Sequence, residues 1–366
     1  MSGPGQAGER VLGWDLLRGL CALTVATYHL LYWLEIAELP ALGTYGVYLF
    51  FVLSGASLAY NYDAARLRGP RAIGSFLFAR WMRLAPLYLL LCPVYIAMLA
   101  LRSGAWMDGI PLRLLLNATF AFGLWDPALT ALLIGGWSLG IEFVFYLFFP
   151  LIARLLPHVA WRAIAFAVLV DVQWAWIYGT VGARGWADGV VAYHQVPGFC
   201  AYFFGGCIIG SLRRERDLGL PIGAGLATWA GMGALLFLLM PAQPGAELLG
   251  LRGAALFTAC FAVVWLSGQV VVKGEARQLA GWLGDVTYGC YLLHPIVLWS
   301  FLWFWLSGAV AMPAGKRVAL LVGVLAITCL LATLSERGIE RPIRRWVRKA
   351  ASKRPPRHMD AASISS

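Results

Sequence analysis

Five side chains in this sequence stand where a charge is expensive. Arg18 and His29 lie inside the first long apolar run, Glu142 lies inside a later one, and Arg80 and Arg83 sit at the edge of another. Ionisable groups within an apolar span usually face a protein interior or a wet cavity, and they are functional candidates by default. Arg18 and His29 are eleven residues apart. On a helix that is three turns plus roughly 20°, so both share one face about 16 Å apart along the axis. An imidazole in such a seam can act as a general acid or base or as a nucleophile. Glu142, in GWSLGIEFVFYLFFP, is expected near the depth of His29, where a carboxylate could orient and polarise the ring. Arg80 and Arg83, in FARWMRLAPLY, are three residues apart and share a helix face. Their guanidinium forks suit phosphate.

Each of these has a structural alternative. His29 can be a hydrogen-bonded packing residue, and Arg18 can simply pair with Asp15. Glu142 can serve a helix-to-helix hydrogen bond, and Arg80 and Arg83 can be ordinary cytoplasmic anchors. A second tier is weaker. His294 precedes Pro295, which frees a backbone carbonyl that water or side chains must satisfy. Asp171 and Gln173 are expected to be buried and paired. Ser54 has no evident base and reads, with Gly55 and Ser57, as a close helix contact. His158, His194 and His358 fall in loops or the tail and receive no role. The seven cysteines (21, 92, 200, 207, 260, 290 and 329) all fall in apolar runs without a Cys-x-x-Cys pair, which argues against a disulfide framework or a zinc site.

The elements that must position these residues are long apolar helices. Of 366 residues, 60% are hydrophobic and 13% charged, against about 25% charged in soluble domains. The chain therefore reads as an all-α polytopic membrane bundle. A span needs about 20 apolar residues, and ten are expected, near 12–34, 44–62, 81–101, 135–156, 161–179, 196–212, 222–240, 252–270, 286–306 and 317–335. The shorter stretch 111–125, interrupted by Arg113 and Asn117, reads as an interfacial or re-entrant piece. The polar first ten residues do not resemble a cleavable signal. Of 29 Lys and Arg, 22 fall on one set of loops and 6 on the other, with Arg18 left over. That asymmetry predicts both termini in the cytoplasm and absorbs the net charge of +11 with no nucleic-acid partner. Residues 1–342 form the expected bundle, and 343–366 a basic, disordered cytoplasmic tail attracted to anionic lipid.

The residues then resemble a known family. Arg18 and His29, followed by YLFFVLSG, are similar to the opening of the membrane acyltransferases of family three, which include bacterial O-acetyltransferases of O-antigen and exopolysaccharide. RWMRLAPLY (80–88), WSLGIEFVFYLFFP (137–150), YGCYLLHP (288–295) and ERP (340–342) agree in order and spacing. The resemblance implies a multi-pass protein of the bacterial inner membrane, with acyl-CoA, most simply acetyl-CoA, as donor. It implies a carbohydrate acceptor in an exopolysaccharide, O-antigen or lipid-linked glycan. It maps the family's functional residues onto Arg18, His29, Glu142, Arg80 and Arg83. Some members carry a fused extracytoplasmic esterase-like domain; nothing comparable follows residue 342, which suggests direct transfer or a separate extracytoplasmic partner. Two departures are Gly140 after the Ser-Leu pair and Phe143 where many members have a second acid.

Together these readings predict that the CoA phosphates dock on Arg80 and Arg83, that the thioester reaches His29, and that His29 takes the acceptor proton with Glu142 setting its tautomer. Arg18 would shape the seam, and no metal is needed. The competing class is a transporter or flippase that uses the same intramembrane polar residues.

Overall fold

In the computed structural model, which describes residues 10–241, 243–304 and 312–352, the apolar runs become helices. Among the described residues there is no strand; one isolated bridge joins Leu220 and Val270. The helices are α1 (Leu12–Trp33), α2 (Pro40–Asn61), α3 (Pro70–Ser103), α4 (Ile110–Thr119), α5 (Pro127–Thr130), α6 (Gly136–Leu155), α7 (Val159–Ile177) and α8 (Ala183–Tyr193). They continue with α9 (Cys200–Glu215), α10 (Ile222–Leu238), α11 (Gly250–Gly268), α12 (Ala276–Phe304), α13 (Ala314–Ser335) and α14 (Arg341–Ser352). Pro40 and Pro70 open α2 and α3, where a missing N–H costs nothing. Gly104 ends α3 at a φ of 73°, in the left-handed region that glycine favours.

Seven helices among the described residues are long and apolar enough to cross a membrane, fewer than the ten expected. The other three expected spans are present as helices that fall short for identifiable reasons. Helix α1 carries Asp15 and Arg18, while α9 and α10 have only 16 and 17 residues. The basic stretch after 342 also differs from expectation. It begins as helix, because α13 passes through a π-turn at Glu336–Glu340 straight into α14. Residues 353–366 of that stretch lie outside the described residues.

Small residues set how closely the helices approach, as is common where lipid supplies little hydrophobic drive between them. A Cβ on Gly55 of α2 would sit 2.1 Å from the Phe203 carbonyl oxygen. One on Gly206 of α9 would sit 2.1 Å from that of Val52. Helix α1 lies between α2 and α12 in the same way, with Gly46 against Val25 and Gly19 against Leu283.

One end of the bundle is tied by charges. Arg10 bonds Asp15 and reaches Asp285 at 2.9 Å; Arg341 joins Asp285 and Glu336, each at 3.3 Å, and Arg344 also pairs with Glu336. This network fastens α1, α12 and the α13–α14 turn together at what we term the basic end.

Toward the far end the stretch 111–125, expected as an interfacial or re-entrant piece, packs against α3 and α6. Its knot is Asn117, fully buried. Asn117 Oδ1 accepts from Tyr88 Oη at 2.6 Å and from the Leu132 N–H at 3.0 Å. Its Nδ2 donates to the carbonyls of Arg113 and Thr130 at 2.8 and 2.9 Å. The piece then lies on α6 at Gly140, where a Cβ would meet the Phe122 ring at 2.3 Å. The glycine that departs from the family pattern is thus the seat of this segment. Because residues 110–135 occupy the far end, α6 starts deep in the bundle.

Candidate active site

His29 projects from the far half of α1 and is half-buried. Its Nδ1 is 3.0 Å from Nε2 of His294 on α12, and Trp33 stacks on its ring at 4.8 Å. His294 is almost wholly buried, and its Nδ1 is 3.1 Å from the Cys290 carbonyl oxygen. Pro295 has no N–H to offer the Tyr291 carbonyl one turn earlier, and the His294 ring also sits within reach of that carbonyl. A carbonyl only accepts, so these contacts fix the protons in order. His294 Nδ1 donates to the backbone, and its Nε2 is left as an acceptor. His29 Nδ1 donates to that acceptor, and His29 Nε2 keeps its lone pair. This is the tautomer a general base requires.

Two cavities meet beside this pair. A chamber of about 430 Å³ at the far end is lined by His29, His194, Tyr28, Tyr95, Trp137 and Trp186, among others. A narrower one of about 90 Å³ toward the basic end is lined by Arg18, Arg83, Ser54 and Glu142, among others. Val47 and Tyr291 line both and stand at the boundary between them, which we term the neck. Tyr291 is held there by its hydroxyl, 3.0 Å from both the Gly135 carbonyl and Ser138 Oγ.

The sequence-predicted residues divide between these cavities. Arg18 does pair with Asp15, at 3.0 Å, and it also donates to the Leu53 carbonyl at 3.3 Å and to Ser57. It nevertheless presents to the narrow chamber. Glu142 is not at the depth of His29. Its Oε1 accepts from Ser54 Oγ at 2.6 Å and from Tyr146, which places it beside Leu53 and hence level with Arg18, three turns away. The expectation failed because α6 begins below the far face, displaced by the re-entrant piece. The imidazole is oriented instead by His294, a residue that the sequence left open between packing and function. Its signal was the His-Pro step in a span.

Arg80 and Arg83 also part company. The Arg80 guanidinium lies over the rings of Tyr62 and Phe76, at 5.7 and 5.8 Å, with Nη2 3.5 Å from Tyr62 Oη. Arg83, three residues deeper, opens into the narrow chamber and has no hydrogen bond or ion pair among the described residues. The carboxylates whose field reaches it are Glu142, Asp15 and Glu340. Such a cation must be met by water or by an anion.

Two more residues were missed. Ser54 has a carboxylate partner after all. His194, to which no role was given, stacks on Trp137 with ring centroids 3.9 Å apart and faces the far chamber. Only the folded register of α6 against the loop before α9 brings those two together, and no local signal announces it. Of the buried pair expected in α7, Gln173 is buried and accepts from the Ala201 N–H at 3.0 Å, but Asp171 is exposed.

Residues 11–333 match the family described as acyltransferase domain, the family-three membrane acyltransferases. The chain belongs to this family. No curated protein and no solved structure matches it. The segments YLFFVLSG, WSLGIEF and YGCYLLHP contribute Phe50, Ser54, Ser138, Glu142 and Tyr291 to the walls of the two cavities.

Proposed function

We propose that this acyltransferase moves an acyl group, most simply acetyl, from cytoplasmic acyl-CoA to a hydroxyl of a carbohydrate acceptor such as an exopolysaccharide, O-antigen or glycolipid unit. The basic end faces the cytoplasm, as the loop charges favour. Helices α1, α9 and α10 cross with the seven longer ones, which gives ten spans and two cytoplasmic termini. In a bacterium that places the protein in the inner membrane.

The CoA phosphates dock at the basic end, with Arg83 as the principal fork and Arg80 beside it. The pantetheine arm enters the narrow chamber past Arg18, Ser54 and Glu142, whose polar atoms match its amides. The thioester then lies at the neck, and the acceptor hydroxyl approaches from the far chamber. His29 Nε2 takes the hydroxyl proton as the oxygen attacks the thioester carbonyl carbon. The tetrahedral adduct collapses by breaking the carbon–sulfur bond, and the departing thiolate receives the proton from His29. The products are an O-acyl ester and CoA. General-base help of this kind is worth about 10²–10⁴-fold. Glu142 serves as a positioning residue in the donor channel, because its hydrogen bonds go to Ser54 and Tyr146 rather than to His29.

The observation that carries this reading is the proton chain from His29 through His294 to the Cys290 carbonyl, set where a cationic cavity and a neutral one meet. The test is covalent. Purified protein incubated with radiolabelled acetyl-CoA and a glycan extract from its host membrane should place label on the glycan. Label that stays wholly in acetyl-CoA, while proteoliposomes of the same protein move CoA or glycan across their bilayer, would instead support a carrier.

A further inference from the structure

The far chamber has a chemical character of its own. None of its lining residues is Lys, Arg, Asp or Glu, whereas six are aromatic and two are histidines. A carboxyl group lies directly behind the wall. Thr44, a lining residue, donates to Oε1 of Glu247 at 2.9 Å, and Oε2 of that buried carboxylate has no partner among the described residues. Burial pushes the Glu247 carboxyl above its ordinary range. No side chain in this wall carries a fixed positive charge to pair with an anion.

The polar atoms that do face the chamber suit hydroxyls. His29 Nε2 is free in the tautomer fixed by His294. The ring nitrogens of His194 have no hydrogen bond among the described residues. Its ring is clamped flat against Trp137 and edge-on to Trp186, with centroids 6.1 Å apart and planes at 86°. The indole of Trp186, partly exposed, offers an apolar face beside that imidazole. A ring that shows hydroxyls at its edge and C–H bonds on its faces matches both features, and the carboxylate of an anionic ring would find no fixed positive charge.

We propose that the far chamber binds the acceptor as a neutral sugar unit, with Trp186 against the sugar face and His194 hydrogen-bonded to a hydroxyl near the one acylated, and that it rejects uronic acid, phosphate and sulfate units. The size agrees, since about 430 Å³ lies at the lower end of the range for small-molecule sites. The inference rests on the acyltransferase reading and adds the charge class of the acceptor and the two residues that set it. His194 and Trp186 are positioning residues for the acceptor, distinct from the base at His29.

The experiment uses the full chain in nanodiscs with radiolabelled acetyl-CoA. The acceptors are matched pairs of alkyl hexosides and alkyl hexuronides in the gluco, galacto and manno series. The neutral member of the pair used best should exceed its uronide in kcat/KM by about 100-fold or more, because a carboxylate would be desolvated without a partner. Trp186→Ala and His194→Ala should each raise the neutral acceptor's KM about tenfold. They should leave the KM for acetyl-CoA within twofold, and Trp186→Phe should recover most of the loss. Unchanged acetyl-CoA KM also reports that each variant is folded. Equal use of hexoside and hexuronide, or variants that lower kcat with acceptor KM unmoved, would overturn the inference and leave the acyltransferase reading standing. Release of no CoA with any acceptor, including the host glycan extract, would remove both.

Discussion

The chamber at the basic end and the chamber at the far end share Val47 and Tyr291 and differ in almost everything else. The first is narrow and carries two guanidinium groups and a carboxylate, of which Arg83 is unpaired among the described residues. The second is roomy, aromatic and without fixed charge on its walls. A solute carrier passes the same molecule through both halves of its path, so the two halves should resemble each other. On the proposed reading they serve different molecules: a polyanionic donor with a thin arm on one side, and a neutral hydroxyl compound on the other. Between them stands a base whose proton is already assigned by a backbone carbonyl two hydrogen bonds away. The difference explains why the polar residues of this bundle are spread over three helical turns rather than gathered in one cluster.

The comparison can be broken at several points. The largest expected effect is at the boundary: His29→Ala should lower kcat by about 10²–10⁴-fold while acetyl-CoA still binds, measured by isothermal titration. Wild-type turnover in that variant would remove the base from the mechanism. Next is His294→Leu, which takes away the acceptor for His29 Nδ1–H and lets the ring change tautomer. By analogy with partners that orient other functional imidazoles, a loss of about 10–100-fold in kcat is expected, with both KM values little changed. A smaller effect confined to one side should follow Arg83→Gln, raising the acetyl-CoA KM about tenfold, as loss of a hydrogen bond to a charged group implies, with acceptor KM constant. Arg80→Gln should be the mildest, about two- to threefold on the same constant, because its guanidinium already rests on Tyr62 and Phe76. Equal changes in the acetyl-CoA and acceptor constants in these variants would mean that the two arginines act only as membrane anchors.

Much of the architecture could be read from the sequence because a membrane span announces itself by length and apolarity alone. The all-helical bundle and the short, interrupted character of the stretch around Asn117 follow from that logic. Depth did not follow. Glu142 was expected beside His29 because its distance was counted from a span end at the membrane face. The folded segment 110–135 moves that end inward, and no local pattern in 135–156 records it. Asp171 was expected to be buried for the same kind of reason. Hydropathy tells that a helix is apolar but not which of its faces meets protein, and this carboxylate lies on the outer one. His194 was illegible because its significance arises only when Trp137, 57 residues earlier, stacks on it. His294 was half legible, since a histidine before an intramembrane proline is rarely idle, but the partner it serves is 265 residues away.

The central claim is that donor and acceptor occupy the two chambers at once and that the acyl group crosses the neck in a single step. Initial-rate kinetics with acetyl-CoA and acceptor varied together test this most directly. Direct transfer assisted by His29 predicts double-reciprocal lines that intersect, and no labelled acetyl on the protein after acetyl-CoA is added alone. Parallel lines, with label held on the protein until acceptor arrives, are the signature of a covalent intermediate and would contradict the account.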